Sequence, residues 1–284
     1  MTRLAPPLRA TPKVAHWSTS ARGFRQDSSR RLSGSVTQPG FSPNVNHCWF
    51  IIRCASKRSV TTIKRLNETI LQCMKCPRLV RWREASARHP PRRYLGEKYW
   101  AKPLAGFGDP KARVLIIGLA PAAHGGNRTG RIFTGDRSGD WLYGALHEAG
   151  FANQANSDHR RDGLKLTDCY ITAAVRCAPP GNKPTLAEFN RCRPYLIQEL
   201  KLFRQLRVVV VLGRIAFDAF LTAHLASGGV VPKPRPKFAH GVAHDLPGGI
   251  RLVCSYHPSQ QNTFTGKLTR PMFQSIFQQA RAAL

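Results

Sequence analysis

Four cysteines in this chain have a spacing that suits a metal centre. Cys73 and Cys76 form a C-x-x-C pair, and Cys177 and Cys192 follow much later in the chain. A C-x-x-C pair closes one side of a metal site, and two later thiolates complete the four-cysteine shell used by zinc or by a [4Fe–4S] cluster. The spacing alone does not separate these metals, and four unrelated buried thiols are an alternative interpretation.

A glycine-rich segment at residues 118–136 is a second candidate for chemistry. It reads GLAPAAHGGNRTGRIFTGD, with glycines at positions 125, 126, 130 and 135. Glycine lets the backbone approach a ligand closely and present N–H groups to an anion such as a nucleotide phosphate. The segment matches neither the P-loop nor the dinucleotide-binding fingerprint, which disfavours a kinase or a dehydrogenase. A flexible surface turn is the simpler alternative.

Two further polar segments, RCAPPGNKP at residues 176–184 and HPSQQN at residues 257–262, combine residue types that bind or polarise a substrate. Each of the three polar segments follows an apolar run that predicts a buried strand. Because the carboxyl ends of parallel strands share one edge of a sheet, we expect the segments to converge on one crevice. The predicted strands are Val114–Leu119, Tyr170–Val175, Val208–Leu212 and Leu252–Tyr256.

Amphipathic stretches between these strands predict helices in an alternating α/β order. The continuous hydrophobicity of the strands is typical of a parallel sheet that is covered on both faces. The fold class is therefore α/β with three layers. An earlier helix is predicted over residues 63–71, and Thr185 and Glu188 have the spacing of a capping box. The other predicted helices are Trp141–Ala149, Leu186–Leu206, Ile215–Leu225 and Met272–Leu284.

The charge of the chain indicates a polyanionic partner. Its 44 Lys and Arg residues against 15 Asp and Glu residues give a formal net charge of +29. Residues 1–60 hold ten basic residues and one acid, so the remainder still holds 34 basic and 14 acidic residues. Nucleic acid is the leading candidate for the partner of such a basic body. A solvated basic surface without a partner is the alternative.

Residues 1–60 are rich in Arg, Ser and Pro, so we expect a disordered basic extension before a folded domain at residues 61–284. The extension suits an organellar transit peptide or, equally, sequence translated from a misplaced start codon. Unevenly spaced cysteines favour a reducing compartment. The sequence contains no run of about eighteen apolar residues, the length that a membrane span requires. We expect no membrane association and a location in a bacterial cytoplasm, at the nucleoid, with an organelle as the alternative.

The motifs together resemble those of one family. GLAPAAHGGNRTGRIFTGD, CAPPGNKPT, HPSQQNTFTG and the four cysteines occur in an order similar to that of the type 5 (UdgB-like) uracil-DNA glycosylases, from about residue 66 onward. The resemblance implies an α/β/α sandwich around a four-stranded parallel sheet. It implies a [4Fe–4S] cluster on Cys73, Cys76, Cys177 and Cys192. It also implies excision of uracil, and of other deaminated bases such as hypoxanthine or xanthine, from double-stranded DNA in base excision repair. We expect a monomer.

The resemblance also implies three catalytic residues in a monofunctional hydrolysis that leaves an abasic site. Asp136 orients a water and balances the positive charge that develops on the sugar. The alternative for Asp136 is an N-cap of the helix near Trp141, for which Asp140 is the closer candidate. His257 donates a hydrogen bond to the departing base, where negative charge develops. Asn182 reads the base edge, since an amide supplies both a donor and an acceptor.

Phe133 resembles the aromatic residue on which a base flipped out of the duplex stacks, and an ordinary core phenylalanine is the alternative interpretation. Two positions depart from related sequences. Leu119 stands where type 4 enzymes carry Glu, and Ile132 replaces the Pro of a GRPF motif, a change that we expect to relax the loop without abolishing activity. The other predicted substrate-binding residues are Ala120, His124 and Asn127.

Contacts with DNA are predicted around these motifs. The segment Ser259–Asn262 is expected to form a loop that presses into the duplex. Basic residues beside the motifs are expected to contact phosphates, which gives an affinity that depends on salt and not on sequence. The predicted DNA-binding residues are Arg128, Arg131, Lys183, Ser259, Asn262 and Lys267.

Two other functions remain open from the residues alone. A non-catalytic four-cysteine metal or cluster protein that binds nucleic acid explains the charge and the cysteines, but it leaves the three converging polar segments unexplained. A hydrolase of free nucleotides is the third hypothesis, and it is disfavoured because the glycine-rich segment has no Walker lysine.

Overall fold

Six strands form one mixed sheet in the computed structural model, which describes residues 62–284. The order across the sheet is β1-β3-β2-β4-β6-β5. The strands are β1 (Phe107–Gly108), β2 (Val114–Gly118), β3 (Cys169–Ala173), β4 (Val208–Leu212), β5 (Ala243–Leu246) and β6 (Ile250–Ser255).

The four predicted strands are present as β2, β3, β4 and β6, and they run parallel to one another. The sheet is nevertheless not the four-stranded one that was predicted, because β1 and β5 extend it at the two edges in the antiparallel sense. Neither edge strand has an apolar run, since β1 has two residues and β5 reads AHDL with one buried position. Both strands therefore depend on pairing with a neighbour, which sequence periodicity does not report.

Helices lie between and around these strands. The predicted capping box is confirmed, because the Thr185 hydroxyl accepts from the Glu188 N–H while the Glu188 carboxylate accepts from the Thr185 N–H. A helix that follows Cys76 was not predicted. The helices are α1 (Ile63–Leu71), α2 (Pro77–Arg88), α3 (Gly126–Thr129), α4 (Arg137–Glu148), α5 (Leu186–Leu202), α6 (Arg214–Ala226), α7 (Gln260–Phe264) and α8 (Arg270–Ala282).

Two hydrophobic cores lie on opposite faces of the sheet. Side chains alternate along a strand, so Val114 and Ile116 of β2 pack with α4 and α8, whereas Leu115 and Ile117 pack with α5 and α6. All four side chains are fully buried. The sheet is thus covered on both faces, as the continuous hydrophobicity of its central strands indicates.

The strand order brings the chemistry-bearing segments to one edge. The chain leaves β2 toward β3 on one side and then returns to β4 on the other, so a switch point lies beside β2. Crevices form outside the carboxyl ends of parallel strands at such points. The polar segments after β2, β3 and β6 all start at this edge.

The predicted basic extension at residues 1–60 lies outside the described residues. Residues 62–284 belong to one compact unit. Within this part of the chain, no helix is both long and apolar enough to cross a membrane.

A buried ion pair ties α5 to the end of β3. Arg176 and Glu199 are 2% and 0% exposed, and the Arg176 Nη2 donates to the Glu199 carboxylate at 2.6 Å. The Thr172 hydroxyl donates to the same carboxylate at 2.8 Å. Together these bonds hold α5 against β3, the strand that leads to Cys177.

Glu199→Ala should therefore destabilise the fold strongly. It leaves the Arg176 guanidinium buried without its counter-charge, which costs about 3–5 kcal/mol in comparable sites. The free energy of unfolding in guanidinium chloride measures the change. Asp245→Ala, which removes the exposed partner of Arg251, is the matched control and should cost less than about 1 kcal/mol. Equal losses in the two variants would contradict this account.

Candidate active site

An aromatic ring and an imidazole face each other at the carboxyl edge of the sheet. The Phe133 ring and the His257 ring have centroids 5.8 Å apart and planes inclined by 32°. Phe133 has a φ of 52°, a left-handed conformation that a bulky residue rarely adopts. A Cβ at Gly118 would lie 2.7 Å from the Phe133 ring, so the ring lies directly over the end of β2. Phe133 is 9% exposed and packs with the core on the α4 and α8 face of the sheet, so the pair lies where that core meets the carboxyl edge.

His257 carries a neutral imidazole at physiological pH. Burial lowers the pKa of His257 to about 4, because the charged ring loses its hydration. Its backbone carbonyl accepts a hydrogen bond at 2.9 Å from the Asn262 side chain. A neutral imidazole has one N–H donor and one acceptor nitrogen, so the ring can donate one hydrogen bond into the crevice.

Asp136 caps α4, and this corrects the prediction that Asp140 has that role. The Asp136 Oδ1 accepts from the Gly139 N–H at 3.1 Å, and α4 begins at Arg137, earlier than predicted, so Asp140 lies in its first turn. The other carboxylate oxygen abuts Gly125, where a Cβ would lie 2.1 Å from Oδ2. Burial raises the pKa of Asp136, and the cap hydrogen bonds offset part of that rise.

Asn182 stands apart from this group. It is exposed, with a φ of 56°, on the loop that follows β3. Within the described residues, no hydrogen bond or ring contact joins it to Phe133, Asp136 or His257. Its predicted role as reader of the base edge stays a prediction.

The other predicted substrate-binding residues lie around the glycine-rich loop. Ala120 packs against a small buried core that contains Cys76, Cys177 and Cys192. His124 shares a hydrogen bond of 3.0 Å with the Tyr99 hydroxyl. Asn127 is 1% exposed, and its amide donates to the carbonyl of Arg83 in α2. Asn127 thus joins the loop to α2 and is not open to the crevice surface.

Arg131, a predicted phosphate contact, is part of the interior, which corrects that prediction. It is 5% exposed, and its Nη1 donates to the Asp162 carboxylate at 2.8 Å. Burial acts to raise the pKa of Asp162, but the hydrogen bonds from Arg131 outweigh it and hold that pKa low. Further bonds link Arg131 to Thr134 and Ser157. A guanidinium in this environment cannot reach a phosphate at the surface.

The predicted duplex-facing loop is a short helix. Ser259 caps α7 by accepting from the Asn262 N–H at 3.4 Å. Lys183 and Lys267 are exposed, and the Lys267 ammonium lies 4.9 Å from the centroid of the Tyr256 ring. Phe264, at the end of α7, is a large apolar side chain that is 66% exposed, and the sequence analysis did not single it out.

The four predicted cysteine ligands come together although they lie far apart in sequence. Cys76, Cys177 and Cys192 share a small buried core, and Cys73 is near enough to raise the pKa of each of them. Burial is the main cause of these rises and takes the pKa of Cys177 to about 12. We refer to these four residues as the sulfur cluster. Cys169 and Cys254 are buried in strands, as predicted.

Arg83 is a buried arginine beside the sulfur cluster, and no sequence motif marks it. It is 2% exposed, and its Nη1 donates to the Cys177 Sγ at 3.2 Å. Its other contacts are with Met74 and the Cys73 carbonyl, not with a carboxylate. In the described part of the chain, no three His, Cys, Asp or Glu side chains are close enough to hold a single metal ion.

Comparison with known proteins identifies the family. Residues 105–281, more than half of the chain, match the family model "Uracil DNA glycosylase superfamily". The chain belongs to the uracil-DNA glycosylase superfamily. This membership confirms the resemblance inferred from the motifs.

Two relatives named type-5 uracil-DNA glycosylase are about half identical to this chain. The Mycobacterium bovis protein is 50% identical over 221 residues, which span 78% of this chain and 81% of the relative. The Thermus thermophilus protein is 51% identical over 214 residues, which span 75% of this chain and 94% of the relative. A type-4 uracil-DNA glycosylase of Pyrobaculum aerophilum is 31% identical over 198 residues, which span 69% of this chain and 83% of the relative.

The raised pKa of Asp136 predicts a stability difference that depends on pH. A carboxyl whose folded pKa exceeds its unfolded value contributes stability at low pH and loses it as pH rises through the folded pKa. Asp136→Asn keeps the helix cap but cannot ionise. The variant should therefore have a higher unfolding midpoint than the wild type at neutral pH, and the difference should shrink in acid.

Asp168→Asn is the control, and it should change the stability at neutral pH in the opposite direction. The hydrogen bonds from Arg113 lower the pKa of Asp168, so the contribution of Asp168 to stability is present at neutral pH and is lost in acid. In each variant the side chain keeps its shape and loses its charge, while one carboxylate oxygen becomes an amide NH2. Thermal unfolding of the three proteins across the acid range tests the pair, and a lower neutral-pH midpoint for Asp136→Asn would refute the burial argument.

Proposed function

We propose that this chain flips uracil out of DNA and hydrolyses its N-glycosidic bond, leaving an abasic site for base excision repair. The observation that carries the proposal is the Phe133–His257 pair over the end of β2, with Asp136 on the same loop as Phe133. An aromatic face, a neutral hydrogen-bond donor and a carboxylate are the parts that this reaction requires. The relatives named uracil-DNA glycosylase support the same activity.

The base is bound through its ring face. A base inside a duplex is out of reach, so it is extruded at a cost of a few kcal/mol and stacked in the pocket. Phe133 supplies the stacking surface. Its left-handed backbone directs the ring to the end of β2, and Gly118, which has no side chain, leaves room for the ring there.

The bond between C1′ and the base breaks with both electrons passing to the base. His257 donates a hydrogen bond to the negative charge that develops there. A neutral imidazole has one N–H group for this bond and keeps its proton. A water oxygen then bonds to C1′, and its proton passes through solvent to the departed base anion, so the products are the neutral base and the abasic sugar. Asp136 orients that water, and its carboxylate balances the positive charge on the sugar.

The excised bases extend beyond uracil to hypoxanthine and xanthine. Stacking on an aromatic ring is tolerant of base identity, since every base has a π face. The one residue assigned to the base edge, Asn182, is exposed and is not held against Phe133. Contacts that depend on the ring face more than on the edge favour a broad range of bases.

The partner is double-stranded DNA, bound by a monomer in a bacterial cytoplasm at the nucleoid. The large excess of basic residues supports a salt-dependent, sequence-independent affinity for phosphates. Lys183 and Lys267 are exposed on two of the segments that start at the carboxyl edge of the sheet, and Ser259 and Asn262 lie on α7 beside His257.

The sulfur cluster residues would hold a [4Fe–4S] cluster. The donor set fits, because four thiols converge and the buried guanidinium of Arg83, which contacts no carboxylate, supplies positive charge to an anionic group. Four cysteine thiolates are the ligand set of a [4Fe–4S] cluster, and within residues 62–284 no three His, Cys, Asp or Glu side chains lie close enough to hold a single metal ion. Bound there, the cluster would crosslink α2 to the loop after β3 and to α5, a structural role.

Excision of uracil tests the function directly. Purified protein is incubated with duplex DNA containing one uracil, and alkali then cleaves any abasic site. The wild type should cleave, and His257→Ala should slow single-turnover cleavage by about 10²–10³-fold because one donor to the leaving group is lost. Asp136→Asn should slow it by about 10²–10⁴-fold. Tight binding with no cleavage of uracil, hypoxanthine or xanthine would favour the non-catalytic nucleic-acid-binding alternative.

The pH profile tests which groups must be ionised. Asp136 acts as a carboxylate, so the rate should fall as pH falls through its raised pKa. His257 stays neutral down to about pH 4, so no inflection is expected at the ordinary histidine value of about 6.5. Single-turnover rates between about pH 4.5 and 9 measure both effects. An inflection near the ordinary histidine value that disappears in His257→Ala would show that burial does not suppress this imidazole's charge.

Iron binding tests the sulfur cluster. Cys192→Ser should lose the iron and the visible absorption of the purified protein, because a cubane needs all four thiolates. Cys254→Ser, a buried cysteine in β6 outside the sulfur cluster, should retain both. Stoichiometric zinc with no visible absorption in anaerobically purified wild type would replace the [4Fe–4S] assignment with a zinc site.

A further inference from the structure

Arg128 binds two segments of the glycine-rich loop, one at His124 and one at Gly135, that lie on either side of the Asp136 carboxylate. Its Nε donates to the His124 carbonyl at 2.8 Å, and its Nη2 donates to the Gly135 carbonyl at 3.0 Å. Nη1 pairs with the Glu97 carboxylate, and the guanidinium lies 4.2 Å from the centroid of the Tyr94 ring. The side chain is 14% exposed, and each of its three nitrogens donates one hydrogen bond within the protein.

The two carbonyl groups that Arg128 binds belong to the residues directly before Asp136 and Gly125, the two residues that are in contact at the carboxylate. Gly135 precedes Asp136 itself. His124 precedes Gly125, whose missing side chain makes room for the Asp136 Oδ2. The fork of a guanidinium sets the spacing of the two acceptors that it binds. Arg128 therefore fixes the distance between the carboxylate and the glycine that it abuts.

We propose that Arg128 is a positioning residue, which clamps the glycine-rich loop so that the Asp136 carboxylate is held in place to orient water. This inference rests on the proposed glycosylase function. It replaces the prediction that Arg128 contacts a DNA phosphate, because each of its three nitrogens already donates to a group of the protein, at His124, Glu97 and Gly135.

The charge of Arg128 acts on Asp136 as well. Burial raises the pKa of Asp136, and the backbone N–H groups of Ser138 and Gly139 lower it. Among charged side chains, Asp140 on α4 raises this pKa, whereas Arg128 lowers it. Removal of the guanidinium should therefore make Asp136 protonate at a higher pH.

The two roles for Arg128 predict different kinetics. A phosphate contact contributes to DNA binding, so its loss weakens affinity and reduces the salt dependence while the rate at saturation is kept. A positioning residue acts on the chemical step, and small displacements of a catalytic group can cost about 10²-fold. The rate on saturating enzyme and the Kd for DNA separate these cases.

The experiment compares Arg128→Met and Arg128→Lys with wild type on duplex DNA containing one uracil. Arg128→Met should lower the single-turnover rate at saturation by about tenfold or more, leave the Kd within about twofold, and move the acid limb of the profile to higher pH. Arg128→Lys restores the charge without the fork, so it should restore the acid limb and recover only part of the rate. Arg160→Met, which removes an exposed cation stacked on Trp100, is the matched control and should behave as wild type.

A direct titration separates failure of this inference from failure of the proposed function. ¹³C NMR of labelled aspartate carboxyls gives the pKa of Asp136 without any assay of activity, with Asp136→Asn assigning the resonance. The pKa of Asp136 should be higher in Arg128→Met than in wild type and Arg160→Met. An unchanged pKa, or a weakened Kd with an unchanged saturating rate, would overturn the positioning role. An inactive wild type with a shifted pKa would overturn the proposed function and leave the clamp standing.

Discussion

The arrangement of this site depends on how closely the glycine-rich loop folds back over the end of β2. A Cβ at Gly139 would lie 1.9 Å from the Phe133 carbonyl oxygen, and one at Gly118 would meet the Phe133 ring. The first turn of α4 therefore presses against Phe133, which takes a left-handed conformation that costs about 1–3 kcal/mol. Strain of this kind persists where packing over-determines it, and here it holds an aromatic ring opposite His257.

Much of the positive charge in the chain is structural. Arg131 pairs with Asp162, Arg176 pairs with Glu199, and Arg83 lies against Cys177, all with side chains that are almost fully buried. These residues contribute to the net charge of +29 yet cannot reach a phosphate. The electrostatic attraction to DNA must come from the exposed remainder, such as Lys183 and Lys267.

The sulfur cluster and the glycine-rich loop share one framework. Arg83 contacts Cys177 through its guanidinium and accepts the Asn127 amide on its backbone carbonyl. Ala120, at the start of the loop, packs against the same cysteines. A structural centre at the cysteines would therefore brace the loop that carries Phe133 and Asp136.

The sequence by itself determined the α/β class, the four parallel strands, the capping box at Thr185, the gathering of four cysteines and the family. Each of these follows from a local pattern: an apolar run, a three-residue spacing, or a motif in fixed order. The contact between the first and third polar segments, at Phe133 and His257, also followed, because parallel strands end at one edge, whereas Asn182 of the second segment stands apart.

The tertiary structure alone decided the two edge strands, the burial of Arg131, the clamp formed by Arg128 and the choice of Asp136 over Asp140 as the cap of α4. An arginine beside a glycine has the same local pattern whether it faces a phosphate or a carbonyl. Its partner is set by residues distant in sequence, such as Asp162 for Arg131 and Glu97 for Arg128, and only the packed chain brings them into contact.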